Sequence, residues 1–377
     1  MRKGAPIQWV GLILLLASFF LCSCRSTRGP VPLFYAIHVQ DHRTVEKILA
    51  KGANPSVVDE WGDSALIRAV HAQNVKIVKL LIDAGADVNA QGDNVNLADT
   101  ALIHAVGGNP EIVKLLIDAG ADVNIQGHNF HTALHYAAHG DVESVKLLLA
   151  AGADANHSSC CYGGPVIFQA VKYGTYEIVK MLLAAGADVN AEGSSIDGTA
   201  LYGAAGEGNV EIVKLLLAAG ADVNQKSCWY GATALMNAAG WGRDAKERRR
   251  KTEVVKILLA AGADVNASYD FIKHNPAECG DGMALSNAAD NDNIEVARLL
   301  VAAGASVNVK ERMGDTALIL AVKNKNAEMV KLFLDAGVDV NATNNDGKTA
   351  RDIAEALRFD AILALLDAAT VKSSSLP

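Results

Sequence analysis

The chain predicts an all-α fold: a solenoid of about ten helix-turn-helix repeats joined by β-hairpin-like finger loops. Three observations carry this expectation. Glycines fall at Gly52, Gly85, Gly120, Gly152, Gly186, Gly220, Gly262, Gly304 and Gly337, spaced 33, 35, 32, 34, 34, 42, 42 and 33 residues apart. Between them recur Thr-Ala-Leu (at Thr100, Thr132, Thr199, Thr233 and Thr316) and Glu-Ile-Val-Lys with following leucines (at Glu111, Glu177 and Glu211). Half the residues are hydrophobic but only 5% are aromatic, so Ala, Leu and Val must fill the core. The 377 residues would suggest two or three ordinary domains, but a fixed internal period takes precedence over that prior.

The repeats do not begin at once. Arg2 and Lys3 precede an apolar stretch, Ile7 to Leu21, of the kind that directs export. At 15 residues it is shorter than the roughly 20 needed to span a bilayer as a helix, which disfavours an uncleaved anchor. Leu21-Cys22-Ser23-Cys24 resembles the bacterial lipobox, which implies removal of residues 1–23 as a signal peptide and acylation of Cys24 as the first mature residue. The large Phe19, Phe20 and Leu21 before Cys22 make that cysteine the poorer acceptor. A cleaved, unlipidated signal is the second reading. Residues 25–31 then form a tether of at most about 25 Å, residues 32–370 the repeats, and residues 371–377 a polar tail.

Each recurring residue has a physical role. Thr199 can cap a first helix by accepting an orphan backbone N–H. Leu201, Ala204 and Ala205 then face the neighbouring repeat, and Val210, Val213, Leu216 and Leu217 make an apolar stripe on the second helix. Gly220 ends that helix in a left-handed conformation, and Asp222 and Asn224 start the next turn. These motifs resemble ankyrin repeats over residues 32–370, about nine tenths of the chain. Ala stands where that family usually has Pro after the capping Thr, a small loss because Pro there only pre-sets φ. Lys348 to Ala369 reads as the closing repeat, with Arg358 and Asp360 of its second helix as polar outward residues.

The resemblance implies that finger tips and exposed first-helix positions bind a protein partner. The matching helix positions are Tyr35, Arg68, His104, Tyr136, Gln169, Gly203, Asn237, Asn287 and Leu320. The first four are aromatic or basic, and finger residues Phe130, Tyr162, Trp229 and Tyr230 extend the aromatic row. Departures from the period are informative as well. A longer finger spans Asn89 to Asp99, Pro165 replaces a capping Thr, and an enlarged finger from Ala267 to Asp281 carries Tyr269, Phe271 and His274. Loops tolerate insertions, and exposed aromatics favour interfaces; both readings stand for that last finger. The insertion Gly242 to Thr252 holds the basic run Arg243 to Lys251. Asp244 and Glu247 interrupt its charge, so a solvated helical extension is expected, with an anionic lipid or acidic partner as the alternative.

The remaining chemistry is sparse. Cys160, Cys161, Cys228 and Cys279 all fall in fingers; a bridge between Cys228 and Cys279 on adjacent fingers is one option and free thiols the other. His131, His135 and His139 recur at intervals of four, but His135 sits at the family's turn-stabilising position and no acidic partner completes a metal set. The formal charge of −8 and the absence of a basic face argue against nucleic acid. There is no phosphate loop, nucleophile elbow or paired acids outside the periodic pattern. The expectation is therefore a non-catalytic, monomeric module without cofactor. It would bind a protein and be lipid-anchored on the periplasmic side of a bacterial envelope. Arg25 lacks the Asp that often retains lipoproteins at the inner membrane, which favours the outer one. An accessory protein that protects or inhibits one enzyme is the alternative.

Overall fold

The computed structural model describes residues 31–92, 98–159, 164–173, 175–193, 198–227, 231–240, 242–268, 283–311 and 314–374. They form two compact units, one of residues 31–137 and 143–153, the other of residues 138–142 and 154–374. Helices come in pairs. The first three pairs are α1 (Val31–His38) and α2 (His42–Ala50), α3 (Ala65–His71) and α4 (Val75–Asp83), and α5 (Ala101–Ala105) and α6 (Pro110–Asp118). Then come α7 (Ala133–Ala137) and α8 (Val142–Ala150), α9 (Val166–Lys172) and α10 (Tyr176–Ala184), and α11 (Ala200–Gly206) and α12 (Val210–Ala218). The last four pairs are α13 (Ala234–Ala239) and α14 (Ala245–Ala260), α15 (Ala284–Asp290) and α16 (Ile294–Ala302), α17 (Ala317–Lys323) and α18 (Ala327–Asp335), and α19 (Ala350–Ala356) and α20 (Asp360–Ser374). Within each unit successive first helices pack side by side, as do most successive second helices.

The expected caps form. Thr100, Thr199, Thr233, Thr316 and Thr349, with Ser64 as a sixth, accept the N–H three residues on, Thr199 from Tyr202 at 3.1 Å. Pro165 and Met283 cap without a side-chain bond. In the fourth pair the cap runs backwards: buried His135 takes the Thr132 N–H on Nδ1 at 3.3 Å, so its ring proton sits on Nε2. Ala200, Leu201, Ala204 and Ala205 are buried on the first helix. The second-helix stripe differs from the expected one. Ile212, Val213 and Leu216 are fully buried, whereas Val210 and Leu217 are only partly covered. A helix between two neighbours buries adjacent positions on one face, and the same triplet recurs as Ile77, Val78 and Leu81. In the last pair Arg358 lies in the left-handed turn before α20 (φ +57°), not in the helix.

Fingers close as single antiparallel bridges, such as Val58 to Ser64 and Glu192 to Thr199, and once as the two-residue ladder of β1 (Ser158–Ser159) with β2 (Gly164–Pro165). Between the helical pair and the finger runs a polar ladder. Asn190 Nδ2 donates to the Gly220 carbonyl at 3.3 Å while its Oδ1 accepts the Asp222 N–H at 2.8 Å, both one repeat on. Asn224 does the same to Gly262 and Asp264 (3.2 and 2.7 Å), and Asn266 to Gly304 and Ser306 (3.1 and 2.8 Å). Asn89 and Asn156 repeat the pattern. Each aspartate also braces the asparagine two residues on, as Asp188 Oδ1 accepts the Asn190 N–H at 2.9 Å. The glycine is required for its backbone: Gly220 has φ +91° with nothing near the place of a Cβ.

The insertion lengthens α14 to 16 residues against 9 for α12. Asp244 caps it by accepting the Glu247 N–H at 2.7 Å. Glu247 and Lys251 are buried, which corrects the expectation of a wholly solvated extension. Arg243 reaches back over both sides of the joint, to Glu247 at 2.8 Å and to Glu207 of the preceding pair at 3.0 Å. Burial opposes the Glu247 charge, but the bonds from Arg243 outweigh it and hold this carboxyl below its usual range. Burial pulls the Lys251 ammonium down, offset in part by Glu247.

Because one asparagine serves two repeats, Asn190→Ala is expected to lower stability by about 1–2 kcal/mol in urea unfolding, with two backbone groups left to water. An unchanged midpoint would show that the ladder contributes nothing.

Candidate functional site

Four first-helix positions in the first unit were expected to face a partner. Tyr35 is 64% exposed on α1. Arg68, His104 and Tyr136, each four residues after a cap, are half-buried on α3, α5 and α7. Their surroundings fix them. Arg68 Nε meets Asp59 at 2.6 Å, a second guanidinium nitrogen meets Asp63 at 3.3 Å, and the guanidinium lies 5.0 Å from the centre of the Trp61 ring. Such a cation over an indole face is attracted by the ring's quadrupole. Trp61 itself is 61% exposed at the tip of its finger, held by the Asp59 carboxylate accepting the Trp61 and Asp63 amides. Sequence reasoning passed over it, although Glu60-Trp61-Gly62 between two turn-forming aspartates was a readable signal.

The strip continues from repeat to repeat. His104 meets His71 edge to face at 4.5 Å. Burial, then the neighbouring His71, keep its imidazole below the usual range, against the pull of Asp99 and Asp63. Tyr136 stands against His131 at 5.3 Å, and His131 in turn stacks on His135 at 5.0 Å. Burial first and the Asp99 charge second raise the Tyr136 phenol, so it remains a hydrogen-bond donor at neutral pH. Asp99 thus lies within the field of both residues; it is buried and accepts the His128 N–H at 2.7 Å.

Phe130 is held outward by that same finger. His128 to Phe130 make one tight turn in which Asn129 and Phe130 both have positive φ, +57° and +61°. Asn tolerates this conformation; a bulky aromatic does not, and the penalty is about 1–2 kcal/mol. The turn is closed by Gly127 N–H to the His131 carbonyl at 2.8 Å and tied to the preceding finger by Gln91 to the Gln126 carbonyl at 2.8 Å. The Phe130 ring is nonetheless 51% exposed.

In the second unit the equivalent positions serve the stack. Asn237 donates to the Tyr202 carbonyl at 2.9 Å and Asn287 to the Met236 carbonyl at 3.0 Å, stapling one first helix to the one before. Gln169 and Leu320 are buried, so neither faces a partner as expected, and a Cβ on Gly203 would touch the Phe168 ring. Cys24, Tyr162, Trp229, Tyr230, Tyr269, Phe271, Cys228 and Cys279 lie outside the described residues. His139 meets the Gln169 amide at 3.3 Å and the Tyr173 ring at 4.2 Å. Among the described residues no three His, Cys, Asp or Glu side chains converge as metal ligands.

Comparison with known proteins agrees with this geometry. A family model described as Ankyrin repeats (3 copies) matches residues 33–127, 92–159, 108–193, 167–269 and 284–374. An ankyrin repeat-containing protein of Treponema pallidum (strain Nichols) is 33% identical over 95 residues, 25% of this chain and 31% of that protein. The chain thus spans about a third of the length of this curated relative. The crystal structure of the ankyrin repeat domain of Bcl-3, a member of the IkappaB protein family, is 29% identical with a TM-score of 0.51, covering 60% of this chain and 97% of that one. With repeats matched along most of its length and turns, caps and fingers to suit, the chain belongs to the ankyrin repeat family, whose stacks are protein–protein interaction modules and generally non-catalytic.

Proposed function

We propose that the chain holds a protein partner against the strip formed by Tyr35, Trp61, Arg68, His104, Phe130 and Tyr136, and that Cys24 carries a lipid that fixes it, facing the periplasm, to a bacterial membrane, the outer one by preference. The Phe130 turn carries the first part of this reading. A strained backbone conformation that keeps an aromatic residue half exposed is of the kind that clusters at binding sites. Trp61 and Tyr35 are exposed to a similar degree, and Arg68 is already braced, so little side-chain entropy remains to be lost on binding. Aromatic and arginine side chains of this kind dominate binding energy at interfaces. The anchor rests on residues 1–24 alone.

Two measurements test the strip. After crosslinking in cells, Trp61→Ala with Phe130→Ala is expected to lower capture of the partner by about tenfold or more while the melting temperature holds. Undiminished capture sinks the proposal. Phe130→Gly should raise stability by about 1 kcal/mol through release of the left-handed strain, and lose capture as well.

The anchor predicts that labelled palmitate enters the wild type and not Cys24→Ser, which should leave the membrane fraction. Equal labelling would refute it.

Acid should act on the strip through His104. Its folded pKa lies below the ordinary 6.5. Above that value both states are neutral; as pH falls through it the unfolded chain takes the proton first, and stability drops. Between about pH 7.5 and about pH 5 the melting temperature should therefore fall further for the wild type than for His104→Gln. Parallel curves would contradict this.

A further inference from the structure

The α14 extension has an inner side and an outer side with opposite fates. Inside, Glu247 is bonded to Arg243 and faces Lys251 at 3.9 Å, while the exposed Asp244 caps the helix. Gly208 of the preceding turn allows this close seating. A Cβ there would come 3.2 Å from Arg250 Cβ and 3.3 Å from the Lys251 backbone nitrogen. Outside, Lys246, Arg248, Arg249 and Arg250 are exposed and make no ion pair among the described residues. Asp244, near Lys246 and Arg250, is committed to its cap, and Glu253 to Lys256 at 3.4 Å.

From this arrangement we infer that the outer face of α14 is a second docking surface, and that its occupant is an acidic segment of a protein. Four cations lie within about 6 Å of helix length, and among the described residues none of the nearby acids makes an ion pair with them. Arginine's planar fork suits carboxylates in pairs. A groove beside the patch is lined by Lys172 and Arg250 but also by Glu207 and Glu211, so it adds no net positive charge. The run from Lys246 to Lys251 carries no apolar side chain to enter a bilayer. The breadth of the occupant follows from charge. The chain as a whole is at −8, and Glu207 and Glu211 stand at the groove. A broad anionic plane or a nucleic acid duplex would meet these acids together with the patch. A narrow peptide laid over Arg248 and Arg249, which are exposed and do not line the groove, avoids both acids.

The test is fluorescence anisotropy of a labelled oligoglutamate titrated with the full chain at low and at physiological salt. Binding that weakens steeply with salt is expected. Arg248→Gln, Arg249→Gln and Arg250→Gln together should weaken it by about tenfold or more, with no change in melting temperature. The control Lys76→Gln, Lys79→Gln and Lys114→Gln, on exposed lysines of the first unit, should change it by less than about twofold. Failure to bind, indifference to the arginine changes, or equal loss in the control overturns the inference. So does tighter binding of phosphatidylglycerol vesicles or duplex DNA through the same arginines.

Discussion

Two nine-residue helices such as α10 and α12 cannot hide Ile178, Val179 and Leu182 or Ile212, Val213 and Leu216 by themselves; each stripe is covered only when a neighbour lies beside it at the correct height. Height is what the asparagine ladder sets. An asparagine that donates to one carbonyl and accepts one amide of the following turn has a single register in which both bonds form. The bonds are individually modest and replaced by water when broken. Their effect comes from repetition at the same place in successive repeats, where they align apolar surfaces that carry the larger share of the stabilisation.

The ladder also explains how the stack absorbs its two long steps. Asn224 reaches Gly262 and Asp264 across the α14 insertion, and Asn266 reaches Gly304 and Ser306 across the enlarged finger, with distances no different from those of uninterrupted repeats. The α14 extension is accommodated at the start of a second helix, where it adds contacts to the preceding turn and leaves the rung in place. Ser306 in place of aspartate shows the tolerance of this scheme: the rung needs only a backbone N–H, which any non-proline residue supplies.

First-helix positions divide along the same line of reasoning. Where the side chain is a short amide, as in Asn237 and Asn287, the neighbouring carbonyl is close enough to claim it. Longer or aromatic side chains extend past that carbonyl. Arg68 then finds carboxylates and an indole, and Tyr136 finds an imidazole. The first unit consequently gathers aromatic and charged side chains in contact with one another. Trp61 and Phe130, both exposed, are set on turns braced by Asp59 within the same finger and by Asp99 of the preceding repeat.

What could be read from the chain alone is whatever depends on residues within a turn or two of one another. The capping threonines, the helix-ending glycines, the paired helices and their period all follow from local geometry, and each was legible. Tyr35, Arg68, His104 and Tyr136 were placed on their first helices by register, because a fixed period puts equivalent residues at equivalent points, and Phe130 was placed in its finger. Partners some 30 to 40 residues away decided the rest. Such partners bury Gln169 and Leu320, engage Asn237, and turn Glu247 and Lys251 inward. They also give Asn190 its two ligands. Those outcomes belong to the tertiary structure, since a side chain's exposure and its hydrogen bonds are set by what the next repeat brings against it, and no local pattern encodes that distance.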